Sequence, residues 1–431
     1  MTATEVKPAV TEVKPVGTID YRTAFQRLTP VAREDALDVM ARLADLTARQ
    51  STDQAPGQWR EPALDYSDPD RFAAEIEAIH KSVPLPLALS CEMPSPGDYK
   101  AITVAGTPVL ISRDSSGQVH AMLNTCRHRG AELVPPGTGH ARRFTCPYHS
   151  WSYGLDGCLR GVYGEKTTGP VDKGELSLRS LTVEERAGLI FVGLRPGMTF
   201  DLDDWLGDYA PILEGLRLEE CTHWSMNTLQ GPNWKVALDG YLEGYHFSTV
   251  HRDSLYLTTH SNIATFDSWG PHLRSCFALR SIEVEAAKPR EVWDPGMAVG
   301  IAAVLFPGLA IAGGWRDQVA VSLVLPGATV DSSVTQQHIL LRNKPSDDAE
   351  AKEANNTRDW FHDVVLDEDY AVNFGVQRGL ASAEPDHEFI FMRNEPGVQH
   401  FHKIVDALVS GVSPLPAAGL AAHKSDREQP V

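Results

Sequence analysis

The chain has 431 residues, 42% hydrophobic and 22% charged, with a formal net charge of −18. That length allows about two to three domains and a large core. The acidic balance excludes a nucleic-acid binder, which needs a basic face; six cysteines in so long a chain exclude a disulfide framework and fit a reducing, cytoplasmic setting.

Residues 1–17 repeat Thr-Glu-Val-Lys-Pro at 4–8 and 11–15, a polar, proline-punctuated tail expected to be disordered. No apolar run follows basic residues at the N-terminus, so no signal peptide is expected. Region 18–86 reads as helical, packing on a later domain. Thr29 can cap a helix with Pro30 at its first position, and Leu37, Met40 and Ala44 fall on one face. Asp68 to Ile79 is a second amphipathic stretch.

Segment 87–195 reads as a small β domain. Ile102 to Ser112 is rich in branched residues, Arg113 to Gly117 is a turn, and Val119–Leu123 and Leu189–Val192 are strands. Region 196–412 reads as a larger mixed domain. Asp201 to Leu216 looks helical, strands follow from Cys221 to Arg342 with one helix near 233–250, and 357–380 forms a long helix stopping at Gly379. Met297 to Trp315 carries no charge and is nearly long enough to span a membrane. Pro307-Gly308 and the glycines at 300, 313 and 314 instead favour two buried strands around a turn. Residues 413–431 read as a flexible tail. The fold class is α+β: a small all-β domain beside a larger domain of antiparallel sheet and helices.

Two couplets carry the first chemistry. Cys126-Arg-His128 and Cys146-Pro-Tyr-His149 lie seventeen residues apart, each offering a thiolate and an imidazole. A zinc site can use that set. So can a Rieske [2Fe–2S] centre, with two Cys on one iron and two His on the other. The other cysteines, Cys91, Cys158, Cys221 and Cys276, are isolated and expected to be buried thiols.

A second constellation lies in Asn233-Trp-Lys-Val-Ala-Leu-Asp-Gly-Tyr-Leu-Glu-Gly-Tyr-His-Phe-Ser-Thr-Val-His251. His246 and His251 are five residues apart, which on an ideal helix rotates them about 140° from each other. They converge only if the helix bulges or ends between them.

The couplets, continued by Arg129-Gly130 and Ser150-Trp151, together with this second segment resemble the Rieske non-haem iron oxygenases. The resemblance runs from about Asp68 to the Asn394-Glu395-Pro-Gly397…His400-Phe-His402 segment. It implies a Rieske [2Fe–2S] domain held by Cys126, His128, Cys146 and His149, and a helix-grip catalytic domain. There His246 and His251 bind a mononuclear Fe(II), with a carboxylate completing a 2-His-1-carboxylate face. That carboxylate comes from Leu366-Asp-Glu-Asp-Tyr370 before Gln377-Arg-Gly-Leu380; Asp369 matches the position, with Asp367 and Glu368 as neighbouring alternatives. Glu243 stands where the family bridges its two centres, touching His246 and the distal cluster histidine, here His149. The best-known ring dioxygenases carry Asp there. Asp239 occupies a position where some relatives have Asn. Respiratory Rieske proteins carry two further cysteines where this chain has Ala131 and Tyr148, so the cluster is expected to be of the oxygenase type.

The implied protein is a terminal oxygenase component. It hydroxylates an aromatic or other apolar small molecule, singly or doubly, with O₂; oxidative demethylation on the same iron is the alternative. An electron-transfer protein lacking active iron is the reading from a different class. No nucleotide fingerprint is present, so an NAD(P)H-dependent flavin reductase, with or without a ferredoxin, supplies electrons. The family assembles as trimers, with or without a small β subunit. Arg127, Arg129, Arg142 and Arg143 either steer an electron carrier or pair locally, as with Glu132. Phe266, Trp269, Phe277, Leu305 and Phe306 are expected to contribute the apolar part of the pocket.

Overall fold

The computed structural model describes residues 21–413. The N-terminal repeat and nearly all of the C-terminal tail lie outside the described residues.

The helix Pro30–Ala48 starts where its sequence dictates. Thr29 Oγ1 accepts from Ala32 N, and Pro30 needs no donor at the first turn. Ala36, Met40 and Leu43 are fully buried, along with Val39. The Asp68–Ile79 stretch is capped by Asp68 and runs as an α-helix over Pro69–Glu75, then widens into a π-turn, Ile76–His80.

The smaller domain is β apart from short helical turns at Ser90–Glu92 and Glu165–Thr168. A five-stranded antiparallel sheet places Ser180–Leu181, Val119–Leu123, Thr107–Arg113, Asp98–Val104 and Gly137–His140 side by side. The branched run Ile102–Ser112 is two strands, not one. Ala105 and Gly106 take left-handed φ of 49° and 74° and fold it into a hairpin. Three short strands, Phe144–Thr145, Ser152–Tyr153 and Leu159–Gly161, form a separate sheet. Between the two sheets sits a compact core containing Leu110, Met122, Cys126, Phe144, Cys146, Trp151 and Tyr153. Leu189–Val192 is a strand as expected, pairing with Leu85–Leu89 in a third sheet.

The larger domain is built on a seven-stranded antiparallel sheet. Its order is Thr222–Gly231, Ser333–Leu341, Gln318–Pro326, Leu309–Ala312, Val299–Leu305, His272–Leu279, Thr259–Trp269. The uncharged 297–315 stretch supplies two of these strands around Pro307-Gly308. Among the described residues no helix is long and apolar enough to cross a membrane.

Alternation along His272–Leu279 separates the sheet's faces. Arg274 points to the N-terminal helix and bonds Asp35 at 3.0 Å. Ser275 points the other way and donates to Leu242 O at 2.9 Å. The second face also receives the long C-terminal helical stretch: Thr335 meets the Tyr370 hydroxyl at 2.5 Å, and Trp224 donates to Asn355 at 3.1 Å.

Three helices differ from their sequence reading. Asp201–Leu216 divides into Leu202–Leu206 and Ala210–Gly215, because Gly207 turns the chain at φ 49°. The 357–380 helix begins earlier, at Asp348, where Asp347 caps it. It is interrupted by a π-turn over Val364–Asp369 and resumes over Tyr370–Leu380. The 233–250 helix ends at Asp239. Beyond it only His246–Ser248 forms a helical turn, started by Glu243, whose carboxylate accepts the backbone N–H of Tyr245 and His246.

Of the isolated cysteines, Cys221 and Cys276 are buried, Cys91 is half-buried and Cys158 is exposed. Cys158 follows an Asp156-Gly157 turn at the domain surface, so burial is not general to these thiols.

Candidate metal centres

The two Cys/His loops share one backbone design. Cys126 N donates to Ala131 O at 2.8 Å, and Gly130 N returns to Cys126 O at 2.9 Å. Cys146 N donates to Trp151 O at 2.8 Å, and Ser150 N returns to Cys146 O at 3.0 Å. Each loop turns at a left-handed residue four positions after its cysteine: Gly130 at φ 76° and Ser150 at φ 55°. A left-handed residue closes such a tight knuckle, which explains Gly at the first.

The loops bring their imidazoles together. The His128 and His149 rings lie 4.7 Å apart, and His128 stacks on Trp151 at 4.8 Å. The cysteines sit beneath, 3% and 2% exposed, while His128 is at the surface. The donor set fits a cluster with a buried thiolate side and an outward imidazole side. His149 Nδ1 supports that fit, being buried without a hydrogen-bond partner. The Tyr153 hydroxyl lies 3.3 Å from Cys126 Sγ and accepts from Arg127 N at 3.1 Å. Arg129 lies over the exposed Tyr148 ring. None of the four clustered arginines forms an ion pair with Glu132 among the described residues; Glu132 instead accepts from Asn124 at 3.3 Å.

In the larger domain three donor atoms meet. His246 Nε2 and His251 Nε2 are 3.1 Å apart, and Asp369 Oδ1 is 3.0 Å from His251 Nε2 and 3.6 Å from His246 Nε2. Cis ligands with bonds of roughly 2.1 Å stand roughly 3 Å apart, so the spacing suits one face of a single metal ion. The broken helix makes this possible, as the five-residue spacing requires. The orienting contacts occupy the other ring nitrogens. Glu243 Oε1 takes His246 Nδ1, and Glu368 Oε2 lies 2.6 Å from His251 Nδ1 and accepts from Ser254 Oγ at 2.5 Å. Both imidazoles are thus held with Nε2 directed inward.

Glu368 is therefore not in the triad. It serves the histidine that its neighbour Asp369 approaches from the other side. The widened turn Val364–Asp369 lets two successive carboxylates reach two nitrogens of one ring. Asp367 has no place in this cluster of donors.

The Asn-Trp-Lys segment anchors the helix leading into the site. Asn233 caps it, accepting from Lys235 N at 2.8 Å, while its own backbone N donates to Gln377 Oε1 at 2.9 Å. Trp234 Nε1 donates to Glu75 Oε2 at 3.0 Å, and the fully buried Lys235 ammonium pairs with Glu75 and donates to Asp65 O at 2.6 Å. Asp239, at the far end, has both oxygens engaged, by the Tyr66 hydroxyl at 2.8 Å and by His402 Nε2 at 2.9 Å. Glu395 lies near Glu243 and Asp239; burial first, then those two charges, push its carboxyl up to about 7. A second carboxylate group, Glu61, Asp65 and Asp406, already holds a cation, because Arg71 lies 2.5 Å from Asp406 and 3.7 Å from Asp65.

Of the expected pocket residues, Phe277 packs on Phe247, whose ring neighbours His251 at 5.6 Å; Ala302 joins them. Phe266 lies beside His400 and shares a small cavity with Glu243. Trp269, Leu305 and Phe306 do not line the triad. Leu305 and Phe306 are in the main core and Trp269 packs against it, tilted against the Tyr209 ring. Strand alternation turns Trp269 and Leu305 out of the site, and Phe306, just past the strand end, packs on Phe401. The orienting role of Glu368, expected only as an alternative ligand, and the roles of Tyr153, Tyr66 and His402 were not read from the sequence. Tyr153, seven residues after Cys146, follows the second knuckle directly and is the one whose position offered a signal.

Residues 83–172 match the Rieske [2Fe-2S] domain model, and residues 203–411 match the ring hydroxylating alpha subunit (catalytic domain) model. The carnitine monooxygenase oxygenase subunit of Acinetobacter pittii is 30% identical over 75% of this chain and 86% of its own. The anthranilate 1,2-dioxygenase large subunit of Acinetobacter baylyi is 33% identical over 45% of this chain, and the match spans only 43% of that relative's length. A crystal structure of a quaternary ammonium Rieske monooxygenase with an inhibitor superposes with a TM-score of 0.71 at 23% identity, covering 83% of this chain and 96% of that one. The chain belongs to the Rieske non-haem iron oxygenases, as a large subunit carrying a Rieske [2Fe–2S] domain and a mononuclear-iron catalytic domain.

Proposed function

We propose that this chain is the terminal oxygenase of a multicomponent system and inserts oxygen into a small cationic molecule bearing a quaternary ammonium group. The observation that carries the oxygenase reading is the meeting of His246, His251 and Asp369 donor atoms on one side, with three-residue ligation leaving the other side open. In this reading Cys126, His128, Cys146 and His149 hold the cluster, and His246, His251 and Asp369 hold the iron. When bound, the cluster supplies electrons singly and the iron supplies a place to activate O₂.

The protein's own groups do the rest. Glu243 and Glu368 fix the tautomers of the two histidines. Glu243, of neighbouring subunits, is also the group we assign to linking the two centres in a homotrimer. Phe247, Phe277 and Ala302 give an apolar wall, and aromatic faces attract ammonium groups. Glu243 and Asp239 add carboxylates nearby, close enough to help hold Glu395 in its uncharged form up to about 7. The coverage of the carnitine-oxidising relative supports the same substrate class. A second reading, ring hydroxylation of an aromatic molecule, is favoured by the same apolar wall and by the anthranilate-oxidising relative. A flavin reductase, with or without a ferredoxin, in the cytoplasm is the proposed electron source, docking at Arg142 and Arg143, which are exposed.

The test is turnover with a surrogate reductase and O₂ on carnitine, choline, glycine betaine and anthranilate, with products identified by mass spectrometry. Oxygen insertion into an ammonium substrate is expected. Conversion of anthranilate alone would replace this reading with the second.

A further inference from the structure

The contacts of Asp239 are unusual for a carboxylate at the edge of a metal site. It lies at the end of the helix Trp234–Asp239, directly before Gly240, where an added side chain would come 3.9 Å from Asp369 Oδ1. Asp239 is 22% exposed, yet its partners Tyr66 and His402, and Glu61 behind His402, are each 0% exposed. The Tyr66 hydroxyl lies 2.8 Å from both Asp239 Oδ2 and His402 Nε2. His402 Nδ1 lies 3.4 Å from Glu61 Oε1, and Glu61 Oε2 accepts from Trp59 Nε1 at 2.9 Å. Burial alone would discharge His402, but Asp239 and Glu61 outweigh it and raise the imidazole to about 9. A buried cation between two anions, braced by a phenol, is a stiff clamp.

Carboxylate oxygen is a good ligand for Fe(II). Were it released, the Asp239 carboxylate would be free to turn toward the site that Gly240 borders and would offer the metal a fourth protein donor in competition with O₂ or substrate. Asn at this position carries a neutral amide, a weaker donor; Asp needs restraint. We propose that His402 and Tyr66 are positioning residues that tether Asp239 away from the metal and so keep the coordination face open. This rests on the assignment of the metal to His246, His251 and Asp369.

The experiment uses the full chain with its cluster intact and oxidised. Fe(II) affinity is measured by chelator competition, and access to the metal by the electron paramagnetic resonance signal of its nitric oxide adduct. His402→Gln is expected to bind Fe(II) about tenfold more tightly and to lose more than half of the nitric oxide signal. Tyr66→Phe, which removes only a hydroxyl, is expected to shift both in the same direction by less and serves if His402→Gln does not fold. Adding Asp239→Asn to either variant is expected to restore both readouts. A merely structural network would weaken Fe(II) binding, and Asp239→Asn would not rescue it; that result, or unchanged readouts in both single variants, overturns the tether. If His246→Ala leaves Fe(II) affinity unchanged, the metal assignment itself fails, a separate outcome.

Discussion

Glu368 Oε2 lies 2.6 Å from His251 Nδ1, on the opposite side of the ring from Asp369. A carboxylate in this place fixes the imidazole's tautomer and orientation and raises its basicity. Glu368→Gln is therefore expected to lower Fe(II) affinity about 10- to 100-fold while leaving the cluster spectrum unchanged. Iron analysis after dialysis against a weak chelator checks it; full retention of iron would assign Glu368 to packing alone.

Tyr153 is placed to tune the cluster. Its hydroxyl donates toward Cys126 Sγ at 3.3 Å, and hydrogen bonds to cluster sulfurs stabilise the reduced, more negative state. Tyr153→Phe is expected to lower the reduction potential, on the order of tens of millivolts. Spectroelectrochemical titration reads it, and an unchanged potential would remove this role.

The Lys235–Glu75 pair is 0% and 1% exposed, with Trp234 donating to the same carboxylate. Removing one partner strands a buried charge, which costs about 3–5 kcal/mol. Glu75→Gln is expected to lower the urea midpoint accordingly and to loosen iron binding, because this pair anchors the helix that leads to Glu243 and His246. Denaturant unfolding followed alongside iron content tests both effects.

Buried histidines make stability depend on pH in two directions. His272 donates from Nε2 to Trp205 O at 3.0 Å and accepts at Nδ1 from Phe306 N at 3.1 Å, so it is neutral. Burial holds it at about 4, below its ordinary 6.5. Between those values the unfolded chain binds the extra proton, so stability falls as pH drops from 6.5 to 4, by at most about 3 kcal/mol for this group. His400 and His80, held by burial at about 4 and about 3, act with the same sign. His402 has the reverse sign: its contribution is complete below 6.5 and is lost as pH rises through about 9. Unfolding free energies across pH should show both flanks. His272→Gln should flatten only the acid one.

Much of the site was legible because metal ligands need particular residue types at short spacing. The proposed ligands Cys126, His128, Cys146, His149, His246 and His251 are of those residue types, and the structure brings the side chains of each half together. Asp369 was legible as one of three neighbouring carboxylates. What distinguished it was the π-turn at Val364–Asp369, which arises from packing and leaves no period in the sequence. The 233–250 helix was overextended for a related reason. Its apolar spacing continues past Asp239, but Glu243 spends its carboxylate on the backbone of Tyr245 and His246 and on the His246 ring. Long-range partners such as His402 for Asp239, separated by 163 residues, have no local signature. Pocket lining failed at Trp269 and Leu305 because hydrophobicity marks burial without saying on which sheet face, and at Phe306 because it packs on the distant Phe401 past the strand end.

The most direct test is iron and acid-labile sulfide analysis of the purified chain beside its His246→Ala variant. The expected wild-type content is the two irons and two sulfides of the cluster plus one further iron. The variant is expected to lose only that further iron and to keep the Rieske spectrum. A wild-type chain with cluster iron alone, or a variant that retains the additional iron, would contradict the two-centre assignment.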